Sequence, residues 1–178
     1  MMANFEIDPT TWLADRVPRF HELPDGEKKA IGDFCLLWGL FEGRCLDERA
    51  SISKIERFVS VIAPALEQDR RFLDSTLRYF QDRYVAPGDD FTDRFEQLQF
   101  GNGDRRRDVE AVLIGHQTDK QAVLVALLII VYRFRNNLFH GQKWQYELSE
   151  QLDNFSTANR LLMKAMDLSG IFQETGES

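Results

Sequence analysis

A run of eleven consecutive apolar residues, Ala122 to Tyr132, is the feature that most constrains how this chain folds. Thr118-Asp119-Lys120-Gln121 precedes it and reads as a capping box with an acid in the first turn, so a helix starts there. The helix continues through Arg133-Phe134-Arg135-Asn136-Asn137-Leu138-Phe139-His140, and Gly141 suits the left-handed position that stops a helix. Apolar side chains all round leave no face for water, so this helix belongs at the centre of a bundle, with neighbours on several sides. Eleven apolar residues rise too little to cross a bilayer, and Met1-Met2-Ala3-Asn4-Phe5-Glu6 lacks the basic end and apolar stretch of a signal peptide. The expectation is a cytoplasmic chain without membrane contact.

The remaining segments supply helical neighbours. Asp8-Pro9 predicts an N-cap and first helical residue, opening a short segment that stops near Val17-Pro18; residues 1–22 read as accessory. From Pro24 to about Leu46, Phe34, Leu37, Trp38, Phe41 and Cys45 form one apolar stripe, with Glu42 beside it. Ser53 and Glu56 match a capping box that introduces Ile55, Phe58, Val59 and Ile62, and Pro64 is expected to restart the chain for a helix reaching about Val85. Asp90 is expected to cap a short helix carrying Phe91, Phe95 and Leu98. Gly101-Asn102-Gly103 reads as a loop, because its flanks lack paired alternating strands. Arg105 to about Ile114 predicts another short helix stopped by Gly115, and Trp144 to Leu168 a last one, with the tail 171–178 frayed. The chain of 178 residues shows no repeat or linker, so the fold expected over 1–178 is all-α, one helical bundle around the apolar helix.

The formal charge of −7 excludes a surface that coats nucleic acid throughout, so any such contact must be local. Arg105-Arg106-Arg107 is flanked by Asp104 and Asp108 and reads as a solvated charged turn. Cys35 and Cys45 share one predicted helix, about 15 Å apart by its rise, too far for a disulfide, and read as buried thiols in a reducing compartment. With His21 and His116 isolated in surface segments, two cysteines and three histidines offer no zinc spacing; neither metal nor cofactor is expected.

The chemical signal lies where the apolar helix ends. Arg133, Arg135, Asn136, Asn137 and His140 crowd the edge of the most buried helix, a costly place for polar groups unless they pair or serve a ligand. Cations at a helix C-terminus also complement its dipole, which is the purely structural reading.

Arg135, Asn136 and His140, followed by Gly141 and the basic Lys143, resemble the signature of the HEPN domain superfamily: Arg, a polar residue, then His after four to six positions. Leu37-Trp38-Gly39-Leu40-Phe41-Glu42 resembles a first core helix in some members. The close match covers about a dozen residues. It implies a helical bundle acting as a metal-independent ribonuclease, with motifs paired across a homodimer and, in toxin–antitoxin or defence systems, a regulatory protein partner. Cleaving RNA without a metal requires a group that moves the proton of the 2′-hydroxyl or the leaving oxygen, and a cation that holds the phosphate. His140 can do the first near neutral pH, and Arg135 can present parallel donors for the second. Asn136 would orient either of them, with Arg133, Asn137, Lys143 and Glu42 in supporting or RNA-binding roles.

Two choices stay open. On a regular helix Arg133, Asn136, Asn137 and His140 share a face and Arg135 points away, so Arg133 fits unless the Asn-Asn pair loosens the last turn or Arg135 reaches across a dimer. Glu42 can form a structural ion pair with these arginines as readily as take part in catalysis. The dimer is also expected because short neighbours would cover so apolar a helix poorly. The alternative function is a non-catalytic module of the same type, binding RNA, nucleotide or a protein through the same residues. A third is a helical scaffold or antitoxin-like dimer whose terminal arginines serve only structure.

Overall fold

The structure, a computed structural model, describes residues 8–67, 71–139 and 151–172. Within these it is an all-α bundle: α1 (Pro9–Arg16), a 3-10 turn (Phe20–Glu22), α2 (Asp25–Cys45), α3 (Ile52–Leu66), α4 (Arg71–Tyr84), α5 (Asp93–Glu96), α6 (Arg106–Leu113), α7 (Lys120–Phe139) and α8 (Leu152–Ser169). The helices close on one continuous hydrophobic core.

α7 sits where its composition requires. Asp119, rather than Thr118, caps it, its Oδ1 accepting from Ala122 N at 3.0 Å. α3, α4 and α6 pack on it. Tyr132 stacks on Trp38 of α2 at 5.9 Å, and Phe134 lies 6.0 Å from both Phe80 of α4 and Phe155 of α8. At 20 residues the helix is long and apolar enough to span a bilayer by length and composition, more than the eleven-residue run suggested. Its side chains are instead committed inside the bundle, with 67% of the most apolar window buried. Cover by the chain's own helices removes the expectation that α7 needs a second copy to hide it.

Several boundaries differ from the sequence expectations, each for a local reason. Ser51, not Ser53, caps α3, because its extended backbone (φ −153°) lets Oγ accept from Lys54 N at 3.3 Å. Pro64 does not restart the chain. It lies inside the last turns of α3, where its missing N–H removes a single helical bond. Asp90 caps nothing: its carbonyl accepts from Ala86 N at 2.7 Å in a turn closed by an isolated bridge between Val85 and Phe91, and Thr92 holds the N-cap position of α5. Gly88 at φ +87° permits that turn. The first residues assigned to the last helix, 144–150, lie outside the described residues, as do Gly141 and the end of the tail. α8 is described from Leu152.

The N-terminus of α8 is capped from across the molecule. Glu27 of α2 is only 4% exposed, and its Oε1 accepts from Gln151 N at 2.6 Å and Leu152 N at 3.2 Å. The carboxylate thus serves donors that a helix cannot satisfy itself, at the end where the dipole favours negative charge. Asn159 of α8 donates to Ala30 O at 3.0 Å, and Tyr79 of α4 donates to Asn154 at 2.8 Å, so polar bonds fix how α2, α4 and α8 meet. Cys35 and Cys45 both lie on α2 as free, half-buried thiols. Burial pushes the Cys45 thiol up to about 11.

Candidate functional site at the end of the core helix

α7 stays helical through Phe139, so the loosening considered at Asn136-Asn137 does not occur within the described residues. Both asparagines are buried, at 8% and 5% exposure. The regular helix therefore sends Arg133 and Arg135 to different neighbours.

Arg133 is consumed by the loop before α6. Its Nε donates to Leu98 O at 3.0 Å, Nη2 to Gln99 O at 2.5 Å and Nη1 to Asp104 at 2.8 Å. The Arg133–Asp104 pair is largely enclosed, with side chains 12% and 14% exposed. Asn137 reinforces the clamp, its Nδ2 donating to Gln97 O at 3.1 Å and Leu98 O at 3.2 Å. Residues 97–104 have no regular backbone ladder here, and these side chains satisfy their carbonyls instead. Arg133 and Asn137, expected to support RNA binding, are structural in this geometry.

Arg135 faces the last turns of α2. Its Nη1 donates to Asn136 Oδ1 at 3.1 Å, its Nη2 lies 3.6 Å from Glu42 Oε2, and its guanidinium sits 5.5 Å from the centre of the Phe139 ring. Nε is buried and, among the described residues, has no hydrogen-bond partner. The side chain is 29% exposed. Arg135 is thus oriented by fewer bonds than Arg133, which makes three.

Glu42 is held by more than this arginine. Its Oε2 accepts from Trp38 Nε1 at 2.9 Å and its Oε1 from Ala50 N at 2.8 Å, tying the last turns of α2 to the loop that enters α3. Trp38 and Ala50 fix the carboxylate, which then aligns Arg135. The ion pair weighed for Glu42 is present, and its oxygens are engaged as acceptors. His140 and Lys143 lie outside the described residues.

Of the other sequence candidates, Arg105 pairs with Glu56 and Asp108, and Arg106 with Glu96 at 2.5 Å and Glu110 at 2.6 Å. Arg106 also covers the Phe95 ring at 5.1 Å. Arg105 and Arg106 therefore brace α3, α5 and α6, and Arg106 and Arg107 open α6 where a solvated charged turn was expected. His21 and His116 are exposed. Among the described residues no group of three or more His, Cys, Asp or Glu is placed to hold a metal. Sequence reasoning missed the commitment of Arg133 to loop carbonyls, because a helical wheel gives direction but not the neighbour met there. It also missed Trp38 as the residue that fixes Glu42, although their four-residue spacing carries that signal.

The class that fold and site define is an all-α bundle with a partly exposed arginine, its Nε unbonded among the described residues, at the end of its core helix. No family model, curated protein or solved structure matches this chain.

Proposed function

We propose that the chain cleaves RNA without a metal ion, with Arg135 holding the scissile phosphate and His140 moving a proton at the 2′-hydroxyl or the leaving oxygen. The observation that carries this reading is the unequal use of two neighbouring arginines. Arg133 spends its donors on Leu98, Gln99 and Asp104, whereas Arg135 keeps donor capacity, is bonded to Asn136 and is partly exposed. A preorganised guanidinium with spare N–H groups supports phosphate binding. Asn136 steadies the guanidinium, and Glu42 limits its swing. Lys143 follows His140 closely in sequence and adds positive charge to an otherwise acidic chain.

The test is incubation of purified protein with mixed-sequence RNA in EDTA. Cleavage that disappears in both His140→Ala and Arg135→Ala supports the proposal; cleavage unchanged in both defeats it. A second reading, binding of RNA, nucleotide or a protein without catalysis, is favoured by one observation. Glu42 already neutralises part of the Arg135 charge at 3.6 Å. Binding lost in Arg135→Ala without cleavage by the wild type would select it.

A further inference from the structure

We infer that the cavity between α3 and α6 is a binding site for a small organic monocation, a primary amine carried on a short apolar body. α3 and α6 both pack on α7, and a cavity of about 280 Å³ remains between them. Small side chains create it. Ala122 and Ala126 stand one turn apart on α7, Val125 and Ile129 continue the floor, and Ala111 of α6 lines the cavity with them. Longer residues at these alanines would close the gap. From Ala122 to Ile129 the floor runs about 10 Å along α7. Ala126 and Ile129 are buried, whereas Ala111, Ala122 and Val125 are half-buried, so an apolar floor is reached from solvent. The volume falls just under the roughly 300–1,000 Å³ of sites for drug-sized ligands, which limits the occupant to a smaller molecule.

The two ends of the cavity differ. Gln117 lines the end near Ala122, held there by its N, which donates to Ala111 O at 3.0 Å, and by its Oε1, which accepts from Asp119 N at 3.0 Å. Glu67, after the last turn of α3, pairs with Lys120 at the start of α7, so α3 runs back along α7 and carries Glu56 toward the Ile129 end. There Glu56 meets Arg105 and Asp108, which also line the cavity.

Charge names the occupant. Among the described residues Glu56 and Asp108 share a single ion-pair partner, Arg105, whose Nη1 meets the first and whose Nε meets the second. Two carboxylates on one guanidinium leave this rim one negative charge in excess. The three side chains are 38–54% exposed, so their pairs are weak and exchangeable. An ammonium entering beside the carboxylates makes the rim neutral while its apolar body covers the alanines of α7. A carboxylate at the same place meets two like charges and a cation already engaged, and a neutral molecule gains only the floor. No residue of the Arg135 site lines the cavity, and the inference does not rest on RNA cleavage.

Ligand-observed NMR titration of the whole chain at neutral pH with hexylammonium, hexanoate and hexanol tests the site. Hexylammonium should bind at millimolar concentration, about tenfold more tightly than hexanoate, with hexanol between them. The Glu56→Gln/Asp108→Asn double variant leaves Arg105 as the charge at the rim and should invert that order. Ala122→Leu fills the floor, so all three probes should lose binding while the melting temperature does not fall; Ala111→Leu repeats the test from the α6 side. The proposal is overturned by no saturable binding of hexylammonium below about 10 mM, by equal affinity for hexylammonium and hexanoate, or by an order unchanged in the double variant. Undiminished hexylammonium binding in folded Ala122→Leu and Ala111→Leu proteins overturns it as well.

Discussion

Replacing Arg133 by alanine should unfold the chain more easily while replacing Arg135 should not, although the two residues stand two apart on one helix. Arg133→Ala removes donors to Leu98 O, Gln99 O and Asp104, and leaves the Asp104 carboxylate, 14% exposed, without its cation. Gly101 N still donates to Asp104 at 2.7 Å, which softens the loss. Breaking a buried pair from one side costs roughly 3–5 kcal/mol, and the residual exposure and the remaining bond bring the expectation to about 3 kcal/mol. For a chain of this size that is a fall in melting temperature of about 6–12 °C. Arg135→Ala removes a partly exposed pair at 3.6 Å and one bond to Asn136, while Glu42 keeps Trp38 and Ala50 as donors. About 1 kcal/mol or less is expected, roughly 2–4 °C. Loss of a preorganised phosphate donor should cut cleavage by about 10²–10³-fold in the same variant. Thermal melts followed by circular dichroism, beside initial rates on a fluorescent RNA in EDTA, measure both. An Arg133→Ala protein that melts like wild type but has lost cleavage would refute the division of labour between the two arginines.

His140→Ala should abolish RNA cleavage while leaving the helical circular dichroism and melting temperature largely intact, since a group that acts on the substrate need not support the core. Glu27→Ala should cost about 2–3 kcal/mol, because Gln151 N and Leu152 N lose a buried acceptor; urea unfolding would show it as a lower midpoint with an unchanged slope. Stability should fall as pH rises from about 9 toward 11. The Cys45 thiol titrates near 9.0 when unfolded and about 11 when folded, so its contribution is complete below the first value and lost through the second. A Cys45→Ala variant should show a flatter decline over that window, and an identical decline would remove Cys45 as its cause.

The helical periodicities and the capping of α1 were legible because they depend on residues close in sequence. Asp8 caps Thr11 N at 2.7 Å as its Asp-Pro pair predicts, and the all-round apolar run of α7 became the core helix. Where two nearby serines compete for one cap, sequence cannot choose: Ser51 wins over Ser53 through its extended backbone. Glu27 had no signal at all, because its partners lie 124 and 125 residues away. The candidate site was legible as a cluster of residue types, and its internal order was not. Whether Arg133 or Arg135 is spent depends on where the loop 97–104 docks, and no periodicity in that loop foretells it.

The bond from Glu27 to the start of α8 sets a constraint on the order of events during synthesis. α2 leaves the ribosome more than a hundred residues before the backbone groups its carboxylate will serve. Until then Glu27 needs water, so the groove between α2 and its later neighbour must stay hydrated and its aromatic side chains uncovered. At about 5–20 residues per second that interval lasts several seconds or more, during which the nascent chain presents Phe34 and Trp38 to the cell. Burial of that carboxylate is a late step by construction, and the chain is most exposed to chaperones and proteases before it.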